Sequence, residues 1–473
     1  MHHSERPGAR AAMGRRLSVL SVLALLLAVL PAGVASAHWR GGHTWVVEPG
    51  QSIQAAVDQA RSGDTIQLLE GTYENQAVCI NGKGLTITGA GADKTRITWP
   101  DWTVVEDQAP APAAGNACWT EWARHDPEST DTAEGDALQQ SLSDDVSALF
   151  FFNPDSPVTV TGLQTVNHPA NGIVVETARD VQVSHTKGVA HDRYGILVSN
   201  TTNSRITDNV EQGLDRGIQQ EGTSGSSGTA GISVSDSPTA NSYVARNSSD
   251  GWNLGIFVRE SRTGKLVGNT VTNNCVGINM FDDGNTEVPV VAPSTIPAGD
   301  WRVVGNTVRD NHRFCLAGIG QVEGQLAVSG TGVAVVNMDS VLIKGNTITD
   351  NGPTPPARTL DFPAAGLLLL TLPLFNTDQP NAAGPVENVS VVKNTIDGNT
   401  TSVDTDGPGP AEPFFAPLDV LVGFPPGTVF TDADGNVVPT PVPGPGINFS
   451  GNSCGVALLG EGVSGIDIGC GGA

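Results

Sequence analysis

Gly172-Ile-Val-Val175, Gly195-Ile-Leu-Val198, Gly231-Ile-Ser-Val234, Gly255-Ile-Phe-Val258, Gly277-Ile-Asn-Met280 and Gly332-Val-Ala-Val335 are versions of one phrase. A small polar cluster comes first, then Gly-Ile or Gly-Val, then alternating apolar residues. The spacing is 23 from Gly172 to Gly195, 22 from Gly195 to Gly217, 24 from Gly231 to Gly255 and 22 from Gly255 to Gly277. A fixed period of this size means that no unit buries its own apolar face, so units stack on their neighbours. Period-2 alternation within each unit makes the units strands. The expected fold is all-β, a parallel solenoid.

A second landmark keeps the same phase. Asn209, Asn247 and Asn269 each lie eight residues before the Gly of the next phrase, and Gly-Asn-Thr recurs at 268–270, 305–307 and 345–347, with Lys393-Asn-Thr as a variant. One asparagine per coil stacks at the inter-strand step of about 4.8 Å, where each amide donates to one neighbour and accepts from the other. These asparagines are read as structural.

Arg15-Arg16, the apolar run Leu17 to Leu30 and Ala35-Ser36-Ala37 read as a signal peptide over 1–37, cut before His38, with Met13 an alternative start. No later segment reads as a membrane span or lipid anchor; Leu367–Leu370 lies between Gly366 and Pro373 as a buried strand. Residues 38–473 carry 21 basic and 48 acidic side chains, a formal charge of −27. That excludes a nucleic-acid partner and disfavours a polyanionic ligand unless bound cations screen it. Six cysteines in an exported chain point to disulfides, and six allow 15 connectivities. Neighbours in sequence give the most economical set: Cys79–Cys118, Cys275–Cys315 and Cys454–Cys470, each stapling the base of an irregular stretch.

The opening of the mature chain reads as a cap. Ser52 caps a short helix with apolar positions Ile53, Ala56, Val57 and Ala60, and Gly63-Asp64 turns into the strand Thr65-Ile-Gln-Leu-Leu69. A helix there covers strand edges that a solenoid otherwise leaves open. Gly50-Gln-Ser-Ile-Gln-Ala-Ala-Val57, Ala60-Arg-Ser-Gly-Asp-Thr-Ile66, Glu70-Gly-Thr-Tyr-Glu74 and Leu85-Thr-Ile-Thr-Gly-Ala-Gly91 resemble the opening cap of the right-handed parallel β-helix superfamily, the pectate-lyase-like proteins. The resemblance covers the cap and most coils from 158 to roughly 400. It implies a single-stranded right-handed parallel β-helix of roughly ten coils. It leaves the activity open, because the superfamily holds polysaccharide lyases, hydrolases, epimerases and non-catalytic members.

The expected organisation is a signal peptide (1–37), a cap with the first coils (38–99), an acidic Pro/Ala-rich insertion (100–148) carrying Cys118, Trp119 and Trp122, repeats (149–400), a Pro/Gly-rich insertion (401–446) and a closing disulfide segment (447–473). A further Pro/Val-rich insertion spans 282–300. Gly222–Gly228 is a short Gly/Ser loop with no nucleophile-elbow context.

Alignment of the coils on their Gly-Ile phrase brings chemistry-bearing residues into register. His168 and His191 are 23 apart and stack, with Asp192, Arg193 and Tyr194 beside them, then Asp215 and Arg216, then Asp250, Trp252 and Asn253. As a site, His168, His191, Asp192, Arg193, Asp215 and Arg216 supply proton transfer and charge stabilisation, while Tyr194, Trp252 and Asn253 hold a sugar. As structure, the same residues make a solenoid corner lined by weak salt bridges. Asp282-Asp283 lacks the motifs that accompany a hydrolase acidic pair and reads as a turn. His125-Asp-Pro-Glu128 lies in an insertion and carries little. Asp432-Ala-Asp-Gly-Asn436 has oxygens at alternate positions, as calcium loops do, but fits a tight turn between strands better. Calcium is compatible with so acidic a chain, yet the sequence identifies no metal site or cofactor. His38, Trp39, His43 and Trp45 read as a flexible start or a local cap.

The sequence therefore predicts a secreted, extracellular or periplasmic monomer that binds a polysaccharide or cell-surface glycan, as a lyase, hydrolase or epimerase or as a binding protein. A non-catalytic structural or surface protein is the alternative.

Overall fold

The computed structural model describes residues 42–100, 146–168, 170–191, 193–213, 230–282, 284, 297–318, 325–354, 360, 362–372, 383–403, 414–431 and 437–470. They belong to one compact unit, residues 41–473. Three parallel sheets run its length, one of twelve strands and two of eleven. In coil order we call them first, second and third. The first runs from Thr44–Val47 to Asn448–Ser450, the second from Gly71–Glu74 to Ser453–Cys454, the third from Val78–Asn81 to Ala457–Leu459. Each strand pairs with its counterparts in adjacent coils, and the Gly-Ile phrases open the third sheet: Ile173 faces Ile196, Ile196 faces Ile232, and Ile232 faces Ile256.

Side chains alternate in and out of the coil, so one aliphatic residue per strand builds a continuous column. In the first sheet the column reads Ile66, Ile87, Val160, Val183, Ile206, Val244, Leu266, Val303, Ile343 and Val391. All are buried in a single core. Each contributes roughly 1.5–3 kcal/mol on leaving water.

The corner from first to second sheet is two residues long from Thr161–Gln164 onward to Ser450–Ser453. Its first residue is left-handed: Asp208, Arg246 and Lys393 have φ of 60°, 55° and 54°, and Gly268, Gly305 and Gly345 take the same place. That requirement explains the Gly of Gly-Asn-Thr. The second residue is the asparagine. Asn209, Asn247, Asn269, Asn306, Asn346, Asn394 and Asn452 form a ladder of Nδ2–H to Oδ1 bonds of 2.9–3.0 Å. Each Oδ1 also accepts the backbone N–H of the preceding asparagine. The structural role expected for these residues is met.

The helix Ile53–Gln59 forms as expected, with Ser52 Oγ accepting the Ala55 N–H at 3.1 Å and Ile53 and Val57 in the core. Gln54 exchanges two hydrogen bonds with the Cys79 backbone, satisfying the free edge of the first third-sheet strand. His43 and Trp45 form a local cap: the His43 N–H and Trp45 Nε1–H both donate to the Asp64 carboxylate. At the other end Cys454–Cys470 closes the last coil and Ile468 packs on the core. Among the described residues no helix is long and apolar enough to cross a membrane.

Cys275–Cys315 also forms, with a Cα separation of 6.0 Å. Cys315 sits in a hairpin, Phe314–Gly318 paired with Gln325–Ser329, and ties it to the coil before Val276–Phe281. Cys79 is disulfide-bonded; its expected partner Cys118 lies outside the described residues, as do the signal peptide, Trp119, Trp122 and His125–Glu128.

Beyond the capping helix, which joins two first-sheet strands, the long connections lead into or out of the third sheet. Those after Thr95–Thr98, Val210–Gln212, Thr307–Arg309, Thr347–Thr349 and Thr395–Asp397 lead into the third sheet. Those after Val276–Phe281, Leu367–Leu370 and Val420–Val422 lead out of it. The described strand ends on either side of these connections lie at the two edges of the third sheet.

Candidate functional site

The residues entering the third sheet stack as the period predicts, but their side chains do something else. Val166, Val189, Gln212, Asp250, Thr272, Arg309, Thr349 and Asp397 share one register position in the second sheet. Two residues beyond it come His168, His191, Trp252, Asn274, Asn311, Asn351 and Asn399. The asparagines form a second ladder: Asn274 Nδ2–H to Asn311 Oδ1 at 3.0 Å, Asn311 to Asn351 at 2.7 Å, Asn351 to Asn399 at 2.8 Å, and Asn399 to Asp419 at 3.0 Å. His191 stands in for an asparagine. Its Nδ1 accepts the His168 backbone N–H at 3.2 Å, as Asn274 Oδ1 accepts that of Trp252 at 2.9 Å.

This bonding fixes the tautomers. Nδ1 of His191 is an acceptor, so Nε2 carries the proton and donates to Thr165 Oγ1 at 2.9 Å. His168 donates from Nε2 to the Gln76 carbonyl at 3.0 Å, and its buried Nδ1 has no partner. Both rings are fully buried. Burial lowers the His168 pKa to about 4, against the Gln76 hydrogen bond. Burial, and then the neighbouring His168, push His191 well below the usual range. Both histidines are neutral wall residues, and the expected acid–base role is corrected accordingly.

Trp252 is likewise corrected as a sugar platform, because it has no exposed surface. Asn253 is buried at the same corner, while Arg193 and Tyr194 are half-buried, Tyr194 against a cluster outside the main core. Asp192, Asp215 and Arg216 lie outside the described residues, as do 222–228 and 432–436; Thr431 and Val437, flanking the last stretch, pair antiparallel. Asp282 is a buried turn residue that accepts the N–H groups of Gly284 and Ala298, at 3.0 and 2.7 Å. Among the described residues no group of three or more His, Cys, Asp or Glu is placed to hold a metal ion.

The glycine of the repeated phrase has its own cause. A Cβ at Gly195 would collide with the Gly231 carbonyl oxygen of the next coil and with the carboxyl of Glu211. Gly255 meets Gly277 and Val271 in the same way. The second-sheet column facing these glycines reads Ile97, Thr165, Gly188, Glu211, Ser249, Val271, Val308, Ile348 and Ile396. Glu211 therefore occupies a core position that later coils fill with Val or Ile. Burial raises its pKa well above the usual carboxylate range, opposed by the Gly188 N–H, and its Oε2 has no hydrogen-bond partner.

Residues that point out of the third sheet form the best candidate site. Those four positions after each phrase glycine make one column: Glu176, Ser199, Ser235, Arg259, Phe281 and Val336. Those two positions after it make another: Val174, Leu197, Ser233, Phe257, Asn279 and Ala334. Phe150, Phe152 and Val174 are apolar at one end, and Phe257, Phe281, Ala334, Val336, Leu368 and Leu370 at the other. Between them lies a polar band of Glu176, Ser199, Ser233, Ser235, Arg259 and Asn279. Ser233 and Ser235 bond each other at 2.8 Å, and Ser199 donates to Asp236 at 3.4 Å. Most of the band is buried although it faces away from the core; Asn279, with nearby Leu197 and Tyr194, is partly exposed.

Comparison with known proteins fits this geometry. The model of the right-handed beta helix region matches residues 171–371, the stretch carrying the phrases, the ladder and the band. The chain folds as a right-handed parallel β-helix. No curated protein matches the sequence. Among solved structures the β-helix is similar to the A-module of the Azotobacter vinelandii mannuronan C-5 epimerase AlgE6, at 14% identity and a TM-score of 0.45, over 88% of this chain and 93% of that one. It is also similar to the periplasmic alginate epimerase AlgG, at 14% identity and 0.38, over 75% and 78%. A third is the catalytic unit of a GH87 alpha-1,3-glucanase from Streptomyces thermodiastaticus, at 13% identity and 0.42, over 75% and 57%. These are likenesses of fold.

Proposed function

We propose that this β-helix binds a polysaccharide on the outer face of the third sheet, across the coils from Ile173 to Phe281. The polar band carries the proposal. Eight long connections begin or end at strands of this sheet, and among the described residues outward-pointing carboxylate, guanidinium, hydroxyl and amide groups here interrupt an aromatic and aliphatic surface. Apolar area with a few placed polar groups suits a sugar chain, whose ring faces pack on carbon and whose hydroxyls need donors and acceptors. Tyr194, Leu197 and Asn279 are the partly exposed contacts.

Export fits the cysteines. Two disulfides with both partners described, and no free cysteine among the described residues, support an oxidising compartment outside the cytosol. The test is titration with neutral and acidic polysaccharides, comparing parent with Tyr194→Ala and Asn279→Ala. Weaker binding in both variants at unchanged melting temperature is expected. Equal binding by all three proteins would move the site elsewhere, and reducing ends or unsaturated products in the same samples would add catalysis.

A further inference from the structure

A cleft of about 470 Å³ opens where the third sheet hands over to the first. Pro154, Asp155, Ser156 and Pro157, in the connection after Leu149–Phe152, wall one side. Thr177 to Asp180, Asn200 and Thr202 form the floor, and Thr239 closes the far side. The corner is built from left-handed residues, with φ of 53° at Thr177, 57° at Asp180 and 49° at Asn200. Stacked polar side chains hold it: Asn200 Nδ2–H to Thr177 Oγ1 at 3.2 Å, Asn203 Nδ2–H to Asp180 Oδ1 at 3.1 Å, and Thr202 to Thr239 at 3.0 Å.

We propose that this cleft is a further saccharide subsite, taking one neutral sugar residue of a chain that also lies on the polar band. It rests on the polysaccharide reading above. Arg179 in the cleft and Glu176 on the band lie three residues apart on the strand Ile173–Arg179, about 10 Å along it. Arg179 is exposed and has no ion-pair or hydrogen-bond partner among the described residues. In a chain with 49 acidic and 25 basic residues, such a guanidinium has many potential partners and uses none among the described residues. Its planar donors, beside the hydroxyls of Thr177, Thr202 and Thr239, match adjacent hydroxyls of a sugar ring. Pro154 and Pro157 offer rigid carbon surface to the ring face. Asp155 and Asp180 decide against an acidic sugar. Asp155 stays ionised, its pKa lowered first by the hydrogen bond from Ser62 Oγ, and two carboxylates in one cleft repel a third.

The test is calorimetric titration with hexasaccharides of glucose, mannose, galactose and xylose, and with a hexauronate as the acidic control. The proteins are the parent, Arg179→Ala, Thr239→Tyr, which fills the cleft, and Asn279→Ala on the band. A neutral hexasaccharide should bind the parent more tightly than the hexauronate does. Arg179→Ala and Thr239→Tyr should each weaken that binding at least about tenfold, the worth of one charge-assisted hydrogen bond, with melting unchanged. If Asn279→Ala weakens binding while both cleft variants bind as the parent does, the subsite is wrong and the band stands. Tighter binding of the hexauronate would overturn the neutral-sugar assignment. If no hexasaccharide binds the parent, both proposals fall.

Discussion

The backbone N–H of His168 donates to Nδ1 of His191 at 3.2 Å, one coil away, where Asn311 Oδ1 accepts the Asn274 N–H at 3.0 Å. A histidine thus does the work of a ladder asparagine. His191→Asn should keep an acceptor for His168, whereas His191→Ala leaves that N–H buried and opens a cavity. We expect the alanine variant to lose about 2–4 kcal/mol and the asparagine variant markedly less, read from urea unfolding at pH 7. Equal losses would remove the ladder role from the ring.

Asn306 is the centre of the first ladder. It accepts two bonds from Asn269 and donates to Leu266 O and Asn346 Oδ1, all within 2.9–3.0 Å. Asn306→Ala takes one hydrogen bond from each of four polar groups and should cost at least about 2 kcal/mol. The exposed Asn448 serves as control, and its alanine variant should stay within about 0.5 kcal/mol of the parent.

Glu211 gives stability an alkaline slope. Its carboxyl titrates at the ordinary 4.5 when unfolded and well above that when folded. Between those values the folded state holds the extra proton, so stability falls as pH rises, by at most about 1.4 kcal/mol per pH unit. Glu211→Val, matching Val271 and Val308 in the same column, removes that slope and should melt higher than the parent at pH 7. A variant that melts lower at every pH would show that the core needs the carboxyl.

His168 acts on the acid side with the opposite sign. Its ordinary pKa of 6.5 falls to about 4 in the folded chain. The stability it contributes is present above pH 6.5 and is lost as pH falls toward 4, because the unfolded chain takes up the proton first. His168→Asn should flatten this acid limb, measured as urea midpoints between pH 7 and pH 4.5. An unchanged limb would place the titration on other groups.

The fold was legible because a two-residue corner with one left-handed position tolerates little besides Gly-Asn and its near equivalents. Glu211 was legible too: it stands two residues after Asn209, where Val271, Val308 and Ile348 follow Asn269, Asn306 and Asn346. The outer columns sit two and four residues after each phrase glycine, so Glu176, Ser199, Ser235 and Arg259 formed a readable series that corner residues overshadowed. Period told that His168, His191 and Trp252 stack, but not which way they point. At a corner, alternation no longer dictates inside or outside, and only the hydrogen bonds of the ring nitrogens decide.

Hydrogen–deuterium exchange with and without a bound polysaccharide locates the ligand on the fold. If the ligand lies on the third sheet, added protection should fall on Ile173–Arg179, Tyr194–Thr202, Ala230–Ser235, Leu254–Arg259 and Val276–Phe281 and on the connections that border them. Strands of the first and second sheets in the same coils should be unchanged. Protection centred on those two sheets, or on the capping helix, would contradict the account.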